Sequence, residues 1–160
     1  MKESNTRVVL VAGASSGIGS ACAEYLRHNG YRVYGTSRQA PFPGETRNRD
    51  TSPAGTMELL RMNIDDDDSV ARGIDYVVRR EGRLDILINS AGFALAGAVE
   101  DTSVEEAKLQ FETNFFGTLR LCRAALPIMR KQGHGYLVFI GSAAGIVSLP
   151  FQSMYSASKF

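Results

Sequence analysis

The chain has 160 residues, 44% of them hydrophobic, 22% charged and 9% aromatic, with no Trp. That is the size and profile of one soluble globular domain. A formal net charge of +1 argues against a broad basic field for nucleic acid. No apolar run approaches the ~20 residues of a membrane span.

Residues 1–7 are polar and residues 8–12 too short an apolar stretch for a signal peptide, so the cytoplasm is the expected compartment. Residues 7–12 (RVVLVA) form a β-branched run that suits a strand buried on both faces. Residues 17–29 show helical spacing, with Ile18, Ala21, Cys22, Tyr25 and Leu26 on one face, and Gly30 stops that helix. Residues 31–36 read as a second strand. Residues 39–56 hold Pro41, Pro43, Pro53, Gly44 and Gly55 among polar side chains, a loop-like excursion. A third strand falls within 57–64, a helix over 66–81 and a fourth strand over 84–89. The run Asp65–Asp68 favours a helix cap over an ion site. Residues 103–131 form one long helical stretch with Pro127 near its end. Residues 136–142 (YLVFIGS) are a fifth strand, and a helix begins near Ser153.

Repeated strand–helix–strand units predict an α/β, doubly wound parallel sheet with helices on both faces, one domain over 1–160. Cys22 and Cys122 lie outside any Cys-x-x-Cys pattern and read as buried thiols on helices. His28 and His134 lack ligand-like spacing and read as surface loop residues, so no metal is expected.

The first strand runs into Gly13-Ala14-Ser15-Ser16-Gly17-Ile18-Gly19 and then a helix. Glycines let a phosphate approach the main chain, and the helix start offers unpaired N–H groups and partial positive charge. Ser15 and Ser16 add hydroxyl donors. The second strand ends Gly35-Thr36-Ser37-Arg38, without the acid that would accept from a ribose 2′-hydroxyl. Arg38 can instead pair bidentately with a 2′-phosphate, and Ser37 can donate to it. NADP(H) is therefore favoured over NAD(H).

Tyr155 and Lys159 are four apart, one turn along one helical stripe. An ammonium there favours the phenolate and makes Tyr155 a proton donor and acceptor for an alcohol–carbonyl pair. Ser142 ends the fifth strand, where open α/β sheets place their sites. Asn114 sits inside a helix, where asparagine is a poor former.

The Gly-x-x-x-Gly-Ile-Gly turn of residues 13–19, Asn89-Ser90-Ala91-Gly92, Asn114, Ser142 and Tyr155-x-x-x-Lys159, in this order and spacing, resemble the short-chain dehydrogenase/reductase family. The match runs from about residue 7 to residue 160. The resemblance implies that Gly13, Gly17 and Gly19 shape the pyrophosphate turn. It puts Asn63 and Ile64 beside the adenine, and has Asn89, Ala91 and Gly92 support the sheet and the cofactor ribose. It makes Tyr155 the acid/base and has Lys159 bind the nicotinamide ribose. Ser142 would position the substrate oxygen and Asn114 hold a water in a relay to Lys159. Four residues depart from the family pattern: Ala12 for threonine, Ser90 for the second asparagine, Asn63 for aspartate and Gly141 for serine.

The resemblance implies an NADP(H)-dependent oxidoreductase acting on a small-molecule alcohol or ketone. Residues 149–160 are similar to members acting on hydroxysteroids and retinoids, which suggests a bulky apolar substrate. A homodimer or homotetramer through the 103–131 helix is implied. Family members are longer, so the sheet is expected to be incomplete at its C-terminal edge, residues 136–140 to form an exposed apolar edge, and the 160-residue chain to turn over weakly or not at all. Two other readings stand beside this one: a catalytically silent nucleotide sensor or scaffold, and a sugar-nucleotide epimerase of the extended branch, whose Gly-x-x-Gly-x-x-Gly turn this sequence does not match.

Overall fold

The computed structural model describes residues 6–40 and 57–160. Strands β1 (Val8–Ala12), β2 (Arg32–Ser37), β3 (Met57–Arg61), β4 (Ile86–Asn89) and β5 (Tyr136–Phe139) form one parallel sheet in the order β3-β2-β1-β4-β5. Helices α1 (Gly17–His28), α2 (Asp67–Glu81), α3 (Val104–Phe111), α4 (Gly117–Gln132) and α5 (Ser153–Lys159) complete it. This is the expected Rossmann-like α/β architecture.

The central strand explains the layering. Successive strand side chains point to opposite faces. Val9 and Val11 pack with Ala23 of α1, together with Val33 and Ile88. Val8, Leu10 and Ala12 pack with Ile74 and Val77 of α2 and with Leu121 and Ala125 of α4. So α1 covers one face and α2 with α4 the other, and the unbroken apolar run of β1 follows from burial on both sides. Each such Val or Leu contributes roughly 1.5–3 kcal/mol by leaving water.

Helix ends follow sequence chemistry. Asp66 caps α2, its carboxylate accepting from Ser69 N–H at 2.6 Å, and Gly82 closes that helix in the left-handed region. Ser103 and Glu106 form a reciprocal capping box on α3. The acidic run thus works as a cap.

Several expectations change. The buried side of α1 holds Gly19 and Ala23, whereas Ile18 and Tyr25 are exposed. Apolar identity misled here, because the small residues face the sheet and allow close approach. The long stretch 103–131 is not one helix: a π-turn, Glu112–Phe116, separates α3 from α4. The fifth strand ends at Phe139, three residues before Ser142, because the backbone turns into a 3-10 turn, Ala143–Gly145. His28 is the last residue of α1 rather than a loop residue. Cys22 and Cys122 lie on helices as expected but are only half-buried. Most of the proline-rich stretch, residues 41–56, lies outside the described residues. β5 is the sheet's last described strand, with Tyr136, Val138 and Phe139 exposed.

At the opposite end of the sheet from the site, the buried Asp85 carboxylate accepts from Val8 N–H at 2.7 Å and from Arg83 Nη2 at 2.7 Å, with His134 Nε2 at 2.9 Å. Burial pushes this carboxyl up, but the hydrogen bonds from Arg83, Val8 and His134 outweigh that and hold it below the usual carboxylate range. His134, read as an ordinary surface residue, is part of this cluster.

Candidate active site

The strand order reverses between β1 and β4, and open α/β sheets bind ligands beyond the C-terminal strand ends at such a point. A cleft of about 890 Å3 opens there. It is lined by the glycine turn (Gly13, Ser15, Ser16, Gly17 and Ile18), by Ser37 at the end of β2 and Arg38 just after it, and by Asn63 and Ile64 after β3. Ala91 and Gly92 after β4, and Tyr155 and Lys159 of α5, line it as well. One continuous cleft therefore joins the phosphate-type turn to the Tyr–Lys pair.

The turn is shaped by close approach. A Cβ on Gly13, whose φ is +79°, would stand 2.7 Å from the Ala91 nitrogen. A Cβ on Gly19 would stand 2.2 Å from the Gly13 carbonyl oxygen. Gly19 is buried behind the lining, so its role is packing of α1 against the turn. Ser16 occupies the N-cap of α1 without a side-chain cap bond, which leaves the first helical N–H groups to a ligand. A dinucleotide pyrophosphate fits this cradle: bare backbone, close packing and a helix start of the right polarity.

Arg38 is exposed on the lining, and no hydrogen bond or ion pair holds its side chain among the described residues. Ser37 Oγ accepts from Gln39 N–H at 3.2 Å. Asn63 Oδ1 accepts from Asp65 N–H at 3.3 Å. Ala12 lacks a hydroxyl, yet its carbonyl accepts from Ser90 N–H at 3.0 Å, so the backbone makes the link that a threonine side chain would supplement. Asn89 lies behind the lining. Its Oδ1 accepts from Ala91 N–H at 3.0 Å and its Nδ2 donates to Thr118 Oγ1 at 2.8 Å, which fastens the Ala91–Gly92 bend to α4.

Asn114 also lies behind the lining, 6% exposed, within the π-turn. Its Oδ1 accepts from Phe93 N–H at 3.1 Å, and its Nδ2 donates to Phe93 O and to Ser158 Oγ, both at 2.9 Å. Both amide donors are engaged, so what Asn114 offers a water is acceptor capacity on Oδ1 and its carbonyl. Such π-turns often mark functional positions. Ser142 is half-buried after β5, and its Oγ accepts from Ala144 N–H at 3.1 Å. Lys159 Nζ donates to Ile140 O at 3.2 Å, tying α5 to the chain just beyond β5.

Thr36, Asp65, Ser90 and Gly141, noted in the sequence for other reasons, also line the cleft. Gln39, Met62, Phe93, Ala94, Leu109, Thr113 and Ile140 went unnoticed there. Leu109 and Thr113 had a signal, since their four-residue spacing puts them on one helical stripe. Phe93 and Ala94 follow directly on the Asn-Ser-Ala-Gly segment.

The fold and cleft define a Rossmann-like α/β protein with a Tyr–Lys pair on the lining of its switch-point cleft. The short chain dehydrogenase family model matches residues 7–160, and the chain belongs to that family. It is 39% identical over 154 residues to a 3-ketodihydrosphingosine reductase of Bacteroides thetaiotaomicron, covering 96% of this chain and 54% of that protein. It is 36% identical over 159 residues to human 17-beta-hydroxysteroid dehydrogenase type 1, covering 96% and 48%. Bovine retinol dehydrogenase 8 is 35% identical over 158 residues, covering 96% and 50%. Among solved structures, a short-chain dehydrogenase from Streptomyces avermitilis superposes with a TM-score of 0.84 at 37% identity, covering 96% of this chain and 56% of that one. ElxO with NADP bound superposes at 0.85 with 30% identity, covering 96% and 62%. The chain spans about half the length of the relatives it matches. No described helix is long and apolar enough to cross a membrane.

Proposed function

We propose that this chain carries the NADP(H)-binding and catalytic part of an oxidoreductase that interconverts an alcohol and a ketone or aldehyde. The observation that carries the reading is the single cleft running from the glycine turn and Arg38 to Tyr155 and Lys159. When bound, the nicotinamide supplies or takes the hydride. Tyr155 gives or takes the proton at the substrate oxygen. Lys159, fastened to Ile140 O, keeps its ammonium on the same cleft lining as Tyr155, where it can hold a ribose hydroxyl. Ser142 already accepts from Ala144 N–H, which leaves its hydroxyl hydrogen to donate to the substrate oxygen. Asn114 fixes the Phe93 backbone on the cleft wall and offers an acceptor to a relay water. Positioning and electrostatics are the protein's part in such chemistry.

Preference for NADP(H) rests on Arg38 at the end of β2, on the missing acid there, and on the bound NADP of ElxO. A bulky apolar substrate is supported by Phe93, Ala94 and Leu109 on the lining and by exposed Ile146, Val147, Leu149 and Phe151 between Ser142 and Tyr155. The names of the sphingosine-, retinol- and steroid-directed relatives point the same way. Exposed Phe115, Phe116 and Leu119 form the face through which copies of the chain would associate.

The test is NADPH oxidation by the complete reading frame against a panel of apolar ketones and aldehydes. Turnover is expected, and Tyr155→Phe should abolish it while leaving NADPH binding intact. Tight NADPH binding with no turnover across the panel would support a sensor instead, and retained activity in Tyr155→Phe would remove Tyr155 as the acid/base.

A further inference from the structure

The two backbone groups of Phe93 fix which way the Asn114 amide faces. Phe93 N–H can only meet Oδ1, and Phe93 O can only meet Nδ2, so a flipped amide would face donor with donor and acceptor with acceptor. The second Nδ2 hydrogen therefore points in a set direction, and the oxygen receiving it is Ser158 Oγ at 2.9 Å. Ser158 in turn donates to the Tyr155 carbonyl at 2.8 Å. That carbonyl has no hydrogen to give, so the chain has one polarity: Asn114 amide to Ser158 hydroxyl to Tyr155 carbonyl. Ser158 is 8% exposed, and water cannot readily replace it.

The N-cap of α5, Gln152, makes no side-chain cap bond, and the described tertiary contacts of the helix converge on the same stretch. Lys159 Nζ reaches Ile140 O, and Gly145 packs so tightly that a Cβ there would stand 2.3 Å from the Lys159 carbonyl oxygen.

We propose that Ser158 is a positioning residue, whose hydroxyl carries the fixed orientation of Asn114 into α5 and so sets where Tyr155 and Lys159 stand in the cleft. This rests on the reading of Tyr155 and Lys159 as the reacting pair. A purely local view makes the opposite forecast. Serine bonded back to its own helix is a poorer helix residue than alanine, so Ser158→Ala should then be harmless or stabilising.

The test uses the complete reading frame with 13C at tyrosine Cζ and lysine Cε. Tyr155→Phe and Lys159→Arg assign the two resonances. Ser158→Ala should move both and lower kcat about tenfold. Ser158→Thr, which keeps the hydroxyl, should restore both resonances. Asn114→Ala combined with Ser158→Ala should lose no more than Asn114→Ala alone, because both remove one shared link. Tyr155 and Lys159 resonances at their wild-type positions in Ser158→Ala, or losses that multiply in the double variant, would overturn the proposal. If Tyr155→Phe keeps full turnover, the acid/base reading fails by itself, and the resonances still decide the role of Ser158.

Discussion

Asp85 Oδ2 accepts the backbone N–H of Val8 at 2.7 Å, joining residues 77 positions apart at the buried foot of β1 and β4. Arg83 and His134 meet the same carboxylate. Asp85→Ala would leave the Val8 N–H unsatisfied in a dry site, at a cost of about 2–3 kcal/mol. Burial raises this carboxyl's pKa, but the Arg83, Val8 and His134 bonds lower it further. A carboxyl depressed in the folded state contributes stability that is complete above its unfolded pKa, near about 4. That contribution is lost as pH falls through the folded value. Urea unfolding between pH 7 and pH 3 should therefore show a steeper acid loss in the wild type than in Asp85→Asn. Equal slopes would contradict this account.

The three turn glycines should not respond alike. Gly17 has φ +54° but nothing within 4 Å of an added Cβ, so Gly17→Ala carries only the left-handed penalty of about 1–2 kcal/mol. Gly19→Ala drives its methyl to 2.2 Å from the Gly13 oxygen, and backbone must move, costing about 3 kcal/mol. Gly13→Ala combines a left-handed φ with contact on the Ala91 nitrogen. Denaturant midpoints should rank Gly17→Ala well above the other two. NADPH fluorescence titration should show the deepest affinity losses for Gly13→Ala and Gly19→Ala.

The sheet was legible because β1 carries an unbroken apolar run and β4 a short one, and because turn glycines and helix caps bracket the units. The pairing of Tyr155 and Lys159 on one lining was legible for a similar reason, because four-residue spacing on a helix is a local periodicity; Ser142 lies outside that lining. What escaped were relations that periodicity cannot carry. Asn114 looked like a helix misfit, and only the fold shows its amide locked to Phe93, twenty-one residues earlier in the chain. The buried face of α1 was misjudged because Ile18 and Tyr25 outweigh Gly19 and Ala23 in hydrophobicity, while close packing selects the small pair. His134 met Asp85 across 49 residues, a pairing with no sequence signature.

Arg38 isolates the cofactor preference. It stands on the cleft lining at the end of β2, where an acid would repel a 2′-phosphate and bind a 2′-hydroxyl. Arg38→Asp should invert both terms and move the ratio of NADPH to NADH affinity toward NADH by about 100-fold, or ~2.7 kcal/mol. Fluorescence titration with each nucleotide measures it. An unchanged ratio would mean that the 2′ end of the ligand lies away from Arg38.

Phe151 is the one described non-glycine residue with positive φ, at +60°. Its carbonyl accepts from Gly97 N–H at 2.9 Å, which straps the loop beyond Phe93 and Ala94 to the turn before α5. Its ring is 68% exposed, so little packing offsets the left-handed strain of about 1–2 kcal/mol. Glycine adopts that conformation freely but loses more chain entropy on folding. Phe151→Gly should therefore keep the strap and gain about 0.5–1 kcal/mol. Proline fixes φ near −65° and cannot aim the carbonyl at Gly97. Phe151→Pro should cost about 2 kcal/mol and raise KM for the ketone substrate, because the Phe93–Ala94 wall loses its tie. Thermal unfolding of the two variants should then move in opposite directions. A loss of stability in Phe151→Gly would show that the ring, not the strained backbone, holds the loop.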